Sequence, residues 1–547
     1  MQKISFYSIF IILCLLSRTK FVHISTLFDL KWRILSDTIK CKVYCLALYL
    51  KEDYIMRTLN IDINNKKGKL NRYFSKCIGA GRAGEVMKYT AFEQLKQVKK
   101  DCGFEYIRFH GLFHEEMAIV SRNDEGKLEF NFQYVDLLFD SLLSIGLKPI
   151  VELGLMPDIM ADDRKYVFWW KMNICPPKDI KEWYQLVFET VNHFKIRYGE
   201  DEVAKWYFEV WNEPNHPGFF SRSDDVNEYL RIYEQAAYAV KNVSDKFLVG
   251  GPASAGLEFI DEIMDFSDEK NVPLDFVTSH QYCVEGAFDA DGTAQTAILP
   301  IEHLTDSVNE WGQKVKKKGY PFIITEWSAS YSPRDTIHDS YYSAPFILET
   351  VKRCEGNVDM MSYWVYTDIF EETSPPKTPF HGGFGMLTVQ SVKKPSYHAF
   401  EFLNNLSDAE LNCDDKSAYA TKSDMGVQIV MWNNVRPELK NTANRTFFRN
   451  DFPAKQIENA KVVLYGFEKK KEYKISIKTV GYKMGDCYDA YLHGGFEPNM
   501  SVEQVEILKK ASEPNLTIYS VTSDENGCVS FEIGQTENQA DFINIEF

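Results

Sequence analysis

Between Lys76 and Leu403, short apolar and β-branched runs alternate with stretches of helical spacing, and eight such runs occur. They are Cys77–Gly81, Tyr106–Gly111, Lys148–Gly154, Tyr207–Trp211, Phe247–Pro252, Phe276–Tyr282, Phe322–Trp327 and Met361–Thr367. Their nearly continuous apolar character suits strands buried on both faces. The stretches between them are long enough for crossover helices. Phe132, Val135, Leu138, Phe139, Leu142 and Leu143 keep a helical period, and Gly146 stands where a C-terminal cap belongs. Ile180, Trp183, Val187, Val191 and Phe194 do the same up to Gly199. Eight strands alternating with helices predict an α/β fold of the (β/α)8 TIM-barrel type.

The chain has 547 residues, room for one barrel and a smaller domain. After Leu403 the style changes to short alternating runs: Gly426–Trp432, Lys461–Tyr465, Glu472–Lys478, Leu516–Ser520, Cys528–Ile533 and Phe542–Phe547. Polar, turn-rich loops separate them, which predicts a C-terminal antiparallel β-sandwich. The strand-like Thr58–Ile63 is expected to add an edge to it. The expected organisation is therefore an N-terminal extension over 1–55, a strand segment over 56–75, a catalytic barrel over 76–405 and an accessory sandwich over 406–547. Within the extension, the apolar run from Ile4 to Ser17 has the look of a signal h-region and is too short to span a membrane. No small-x-small cleavage pattern follows it, and translation from Met56 is the alternative. A cytoplasmic address is the expectation; a true signal would make the protein secreted or periplasmic.

A formal net charge of −16 disfavours nucleic acid or an anionic membrane as a partner. The dense basic run from Lys314 to Lys318 reads as the solvated end of a helix. Eleven dispersed cysteines, with no Cys-x-x-Cys and no histidines at metal spacing, predict reduced structural thiols. No metal and no cofactor are expected, and self-association stays open.

In such a barrel, working residues cluster at the C-terminal strand ends. The tips here carry His110, Glu152, Glu213 beside Asn212, His280 with Tyr282, Glu326, and Trp364 with Asp368. Singly, each has a bland explanation: Glu152 as a buried partner of Arg108, a lone histidine as a hydrogen-bonded core residue. Six polar tips converging on one mouth outweigh those explanations. Pro214 forces the fourth strand to end and turn outward, which leaves Glu213 at its tip. Glu326 closes the apolar run of the seventh. Tips of strands four and seven face each other across a barrel mouth. Two carboxyls about 5 Å apart there are the pair that retaining hydrolysis of a glycosidic bond requires, one as acid and one as nucleophile. The acid needs a raised pKa, to which Trp211 is expected to contribute an apolar wall; the nucleophile needs donors such as a tyrosine hydroxyl or His280.

Several motifs extend this reading: Arg108-Phe-His-Gly111, Lys148-Pro-Ile-Val-Glu-Leu-Gly154, Pro176-Pro-Lys-Asp179, Trp211-Asn-Glu-Pro-Asn215, Thr325-Glu-Trp327, and the run from Tyr363 through Glu371-Glu372 to Pro379-Phe-His-Gly-Gly-Phe-Gly385. With these the chain resembles glycoside hydrolase family 39, the β-xylosidases and α-L-iduronidases. The resemblance runs from Gly79 to Phe402. It implies Glu213 as acid/base and Glu326 as nucleophile; spacing alone does not orient the pair. It further implies that His110, Asn212, His280, Tyr282, Trp364, Glu371 and Glu372 hold the sugar. The chain departs from the pattern at Cys283-Val-Glu-Gly286, where relatives tend to carry proline after His-x-Tyr, so aglycone preference does not carry over. The adjacent carboxylates Glu371 and Glu372 suit a neutral sugar and oppose a uronate. The expected activity is release of terminal β-D-xylose from small xylo-oligosaccharides derived from xylan. Alternatives are another glycone (arabinose, glucose or iduronate) or an inactive carbohydrate-binding homologue.

Overall fold

The computed structural model describes residues 56–289, 291–440 and 442–547. The expectations for the extension 1–55 lie outside the described residues. Thr58–Phe547 forms one compact unit. Eight parallel strands close on themselves: β1 (Cys77–Arg82), β2 (Tyr106–His110), β3 (Lys148–Leu153), β4 (Tyr207–Val210), β5 (Leu248–Ala255), β6 (Phe276–Tyr282), β7 (Phe322–Ser328) and β8 (Met360–Tyr363). β8 returns to β1 through Ser362 opposite Cys77 and Tyr363 opposite Ile78, which completes the barrel.

The crossover helices end where the glycines stand. Helix Gln133–Ser144 stops with Gly146 at φ +75°, and the Leu147 amide donates to the Leu142 carbonyl across the turn. Asp179 opens helix Ile180–Tyr198 by accepting from the Lys181 amide, and Gly199 closes it. Gly79 is needed for a different reason. A Cβ there would lie 2.4 Å from the Trp364 ring, so only glycine lets that indole rest against β1.

Two further sheets share one apolar core. A three-stranded sheet places Thr58–Asp62 beside Gln456–Tyr465, which pairs with Val529–Thr536. A seven-stranded sheet runs Lys66–Lys69, Ala409–Leu411, Ala418–Ser423, Gly426–Trp432, Ala540–Glu546, Glu472–Val480 and Asn515–Thr522. Leu59, Ile61, Ile429, Val462, Ile475 and Val529 pack between them. Thr58–Asp62 is the expected edge, but it pairs in parallel with Gln456–Tyr465, so the sandwich is not wholly antiparallel. Two helices, Cys487–His493 and Val502–Ala511, interrupt the strand pattern and cover Phe380 and Val392 of the segment after β8. Among the described residues no helix is long and apolar enough to cross a membrane, and all eight described cysteines are free.

Candidate active site

Register shifts near the C-terminal ends of the strands re-aim their side chains. One lies between Ser279 and His280 and sets His280 opposite Glu326 on the neighbouring strand. β4 stops at Val210, one residue before the predicted end. Trp211 and Glu213 both take positive φ, +70° and +45°, a conformation costly for such residues and held here by the surroundings. The Trp211 amide donates to Leu153 O (3.0 Å) and the Glu213 amide to Ala253 O (2.9 Å). The Trp211 indole turns away from the mouth, donates to Phe219 O at 3.1 Å and packs against Phe220. It therefore locks the loop and does not wall Glu213. Trp211 is not among the residues that line the cavity, whereas Phe219 is.

The two tip carboxyls meet. One oxygen of Glu213, one of Glu326 and a nitrogen of His280 all lie within 4.8 Å of one another. Their partners differ. Glu326 receives Arg108 Nη1 at 2.7 Å and the Tyr282 hydroxyl at 2.7 Å, one on each oxygen. Glu213 has His280 Nδ1 at 2.8 Å. His280, expected to hold the nucleophile, thus bonds the other carboxyl and stands 3.7 Å from Glu326.

Arg108 ties the site to the barrel interior. Besides Glu326 it reaches Glu209 through Nε (2.5 Å) and Asn212 Oδ1 (2.9 Å) and Glu152 (3.1 Å) through Nη2. The pairing of Glu152 with Arg108 is the one expected, and Glu152 also meets His110 Nδ1 at 2.7 Å. Glu209 and the Arg108–Glu326 contact are missing from the sequence reading. Strand alternation was the available signal, since Arg108 and His110 are two residues apart and share a face.

These groups carry more negative than positive charge in a desolvated place. Burial raises the Glu213 carboxyl well above the usual carboxylate range, and the charge of Glu326 adds to this against Arg108. Burial also raises Glu326, but Arg108, His110 and the Tyr282 hydrogen bond pull it back. Because two donors address Glu326 directly, it is the ionised member and Glu213 keeps the proton. Burial pushes His110 down to about 4 and His280 well below its ordinary value, so both imidazoles are neutral. A carboxylate–imidazole–carboxylate set at this spacing also has the shape of an ion site. The fixed positive charge of Arg108 on Glu326 opposes a second cation there.

A cavity of about 700 Å³ opens over the pair. Of the residues expected to hold the sugar, His110, Tyr282, Trp364 and Glu372 line it. Asn212 and His280 stand behind its wall, bonded to Arg108 and Glu213. Glu371 does not line it: its carboxylate is engaged with Arg82 (2.9 Å) and Lys88. Phe219, His216 and Tyr331 line it too, on loops whose irregular course gave no period to read.

A closed parallel barrel carrying two opposed carboxyls at the ends of its fourth and seventh strands defines a retaining glycoside hydrolase. The model of the glycosyl hydrolases family 39 matches residues 57–527. A β-xylosidase of Caldicellulosiruptor saccharolyticus is 37% identical over 469 residues, 83% of this chain and 91% of that one. A monomeric β-xylosidase of Caulobacter crescentus CB15 superposes with a TM-score of 0.85 at 35% identity, covering 90% of this chain and 99% of that one. The GH39 enzyme of Xanthomonas axonopodis pv. citri gives a TM-score of 0.86 at 32% identity, covering 90% and 97%. The chain belongs to glycosyl hydrolase family 39.

Proposed function

We propose that this protein is an exo-acting β-D-xylosidase that releases terminal xylose from xylo-oligosaccharides by double displacement. The carrying observation is the asymmetry of two carboxyls that lie within 4.8 Å, one held by two donors and the other pressed toward its protonated form. Glu326 attacks the anomeric carbon while Glu213 gives its proton to the departing glycosidic oxygen, and a glycosyl ester of Glu326 forms. Glu213, now ionised, takes a proton from water, which displaces Glu326 and restores the configuration. Asn212, behind the cavity wall, spends its carbonyl oxygen on Arg108 and so helps hold the cation that addresses Glu326. Glu372 and His110 offer acceptors to the remaining hydroxyls, and Trp364 forms an apolar wall.

The choice of a neutral glycone rests on charge. Among the described residues, no lysine or arginine lines the cavity, while Glu213, Glu326 and Glu372 do. A uronate would enter without a cationic partner and against the ionised Glu326. The sandwich reads as a buttress: the Trp432 indole donates to Glu349 of a barrel helix at 2.7 Å, and Phe542 packs on Phe402. The test is a panel of aryl glycosides on purified protein. The β-xyloside should give the highest kcat/KM and the α-L-iduronide no turnover; preference for any other glycone overturns the substrate assignment.

A further inference from the structure

Glu372 faces the cavity without help from its side chain. Its carboxyl receives no hydrogen bond from the described residues, and the nearest cationic candidate, His110 Nε2, is 3.8 Å away. No side-chain hydrogen bond from the described residues anchors that carboxyl, whereas its backbone is held on both sides. The Trp169 amide donates to Glu372 O at 2.6 Å. The Glu371 amide donates to Glu85 Oε1 at 2.9 Å.

The Glu371 side chain points the other way, into an ionic bracket on the loop after β1. Arg82 stands at its centre. Its guanidinium contacts Glu85, Glu116 (2.8 Å) and Glu371 (2.9 Å) and lies over the Trp170 ring at 5.3 Å. Lys88 closes on Glu371 from outside. The room for this bracket comes from missing side chains: a Cβ on Gly81 would fall 1.9 Å from Glu85 Oε2, and one on Gly84 2.5 Å from Glu116. A charged fork with three carboxylates fixes geometry more narrowly than any single pair.

We propose that Glu371, clamped by Arg82 and Glu85, is a positioning residue that fixes Glu372 in the sugar pocket and is not itself a sugar ligand. The inference rests on the glycosidase reading, in which Glu372 accepts hydroxyls of the bound sugar. Glu371 then acts through Glu372, and the two should not be independent.

A double-mutant cycle on an aryl β-xyloside tests this. Glu371→Gln should lower kcat/KM about tenfold, mainly through KM, and Glu372→Gln about a hundredfold. In the Glu372→Gln background, Glu371→Gln should change kcat/KM less than about twofold. Arg82→Lys keeps the charge and loses the fork, so it should repeat both results with thermal unfolding recorded alongside. A tenfold loss from Glu371→Gln that persists beside Glu372→Gln makes Glu371 a ligand in its own right and overturns the proposal. An active wild type with additive losses sinks this inference alone; a wild type that turns over no aryl β-glycoside sinks the activity reading and this inference with it.

Discussion

The eight barrel strands bury two layers of opposite character. The lower is apolar and takes one residue from each strand: Cys77, Tyr106, Ile150, Tyr207, Leu248, Phe276, Ile323 and Met360. Aromatic edges interlock there, Tyr106 on Tyr207 at 5.5 Å and Tyr207 on Phe276 at 5.1 Å. Two residues further along β2, β3 and β4 stand Arg108, Glu152 and Glu209, completely or almost completely buried. Glu209 is directly opposite Glu152, whose carboxyl is pushed by burial well above its usual range, with the Glu209 charge adding to this against Arg108. The lower layer explains why the barrel closes. The upper layer is expensive to bury, and one arginine shared among several carboxyls does not neutralise it. A fold selected for stability alone would not place it there; chemistry at the mouth accounts for it.

Substitutions should separate the two layers. The largest effect is expected from Glu326→Ala, a loss of kcat on the order of 10⁴-fold or more on every substrate. Next comes Glu213→Ala, which should cost about 10²–10⁴-fold on substrates with poor leaving groups and far less on aryl glycosides with good ones, since only the former need a proton. Equal loss on both classes would refute Glu213 as the acid. Its raised pKa also sets a sign. The acid works protonated, so kcat/KM should fall as pH rises through that value, and Glu213→Gln should remove this basic limb. Smaller again is Arg108→Lys. Losing the forked cation raises the pKa of Glu326, which works ionised, so the acidic limb of kcat/KM should move to higher pH. The smallest catalytic effect belongs to the lower layer. Phe276→Ala should cost about 3–5 kcal/mol of stability by leaving a cavity, yet leave KM of the folded fraction nearly unchanged. A marked change in KM of the folded Phe276→Ala fraction would erase the distinction between the layers.

Periodicity made the barrel legible. Each predicted strand overlaps one observed, and proline after Glu213 marked the strand tip that carries it. The loop after β8 was not legible in the same way. Nothing in Glu371-Glu372 tells which carboxyl faces the cavity, because the answer depends on Arg82 and Glu85, nearly three hundred positions earlier. Trp211 misled for a related reason: its positive φ turns the indole from the mouth, and no local pattern announces that turn. In the sandwich, Lys66–Lys69 escaped notice since all four residues are exposed on an edge strand and offer no alternation. Local chemistry reads out where burial imposes a period; long-range ionic contacts impose none.

The roles of the two carboxyls are tested most directly by the configuration of the glycosyl azide formed when azide is added to each variant with an activated aryl β-xyloside. Glu326→Ala should yield the α-xylosyl azide, because the anion enters the space the nucleophile vacates. Glu213→Ala should yield the β-xylosyl azide, because there azide displaces Glu326 from the covalent intermediate. The opposite configurations, or no azide product from either variant, would contradict the assignment of nucleophile and acid.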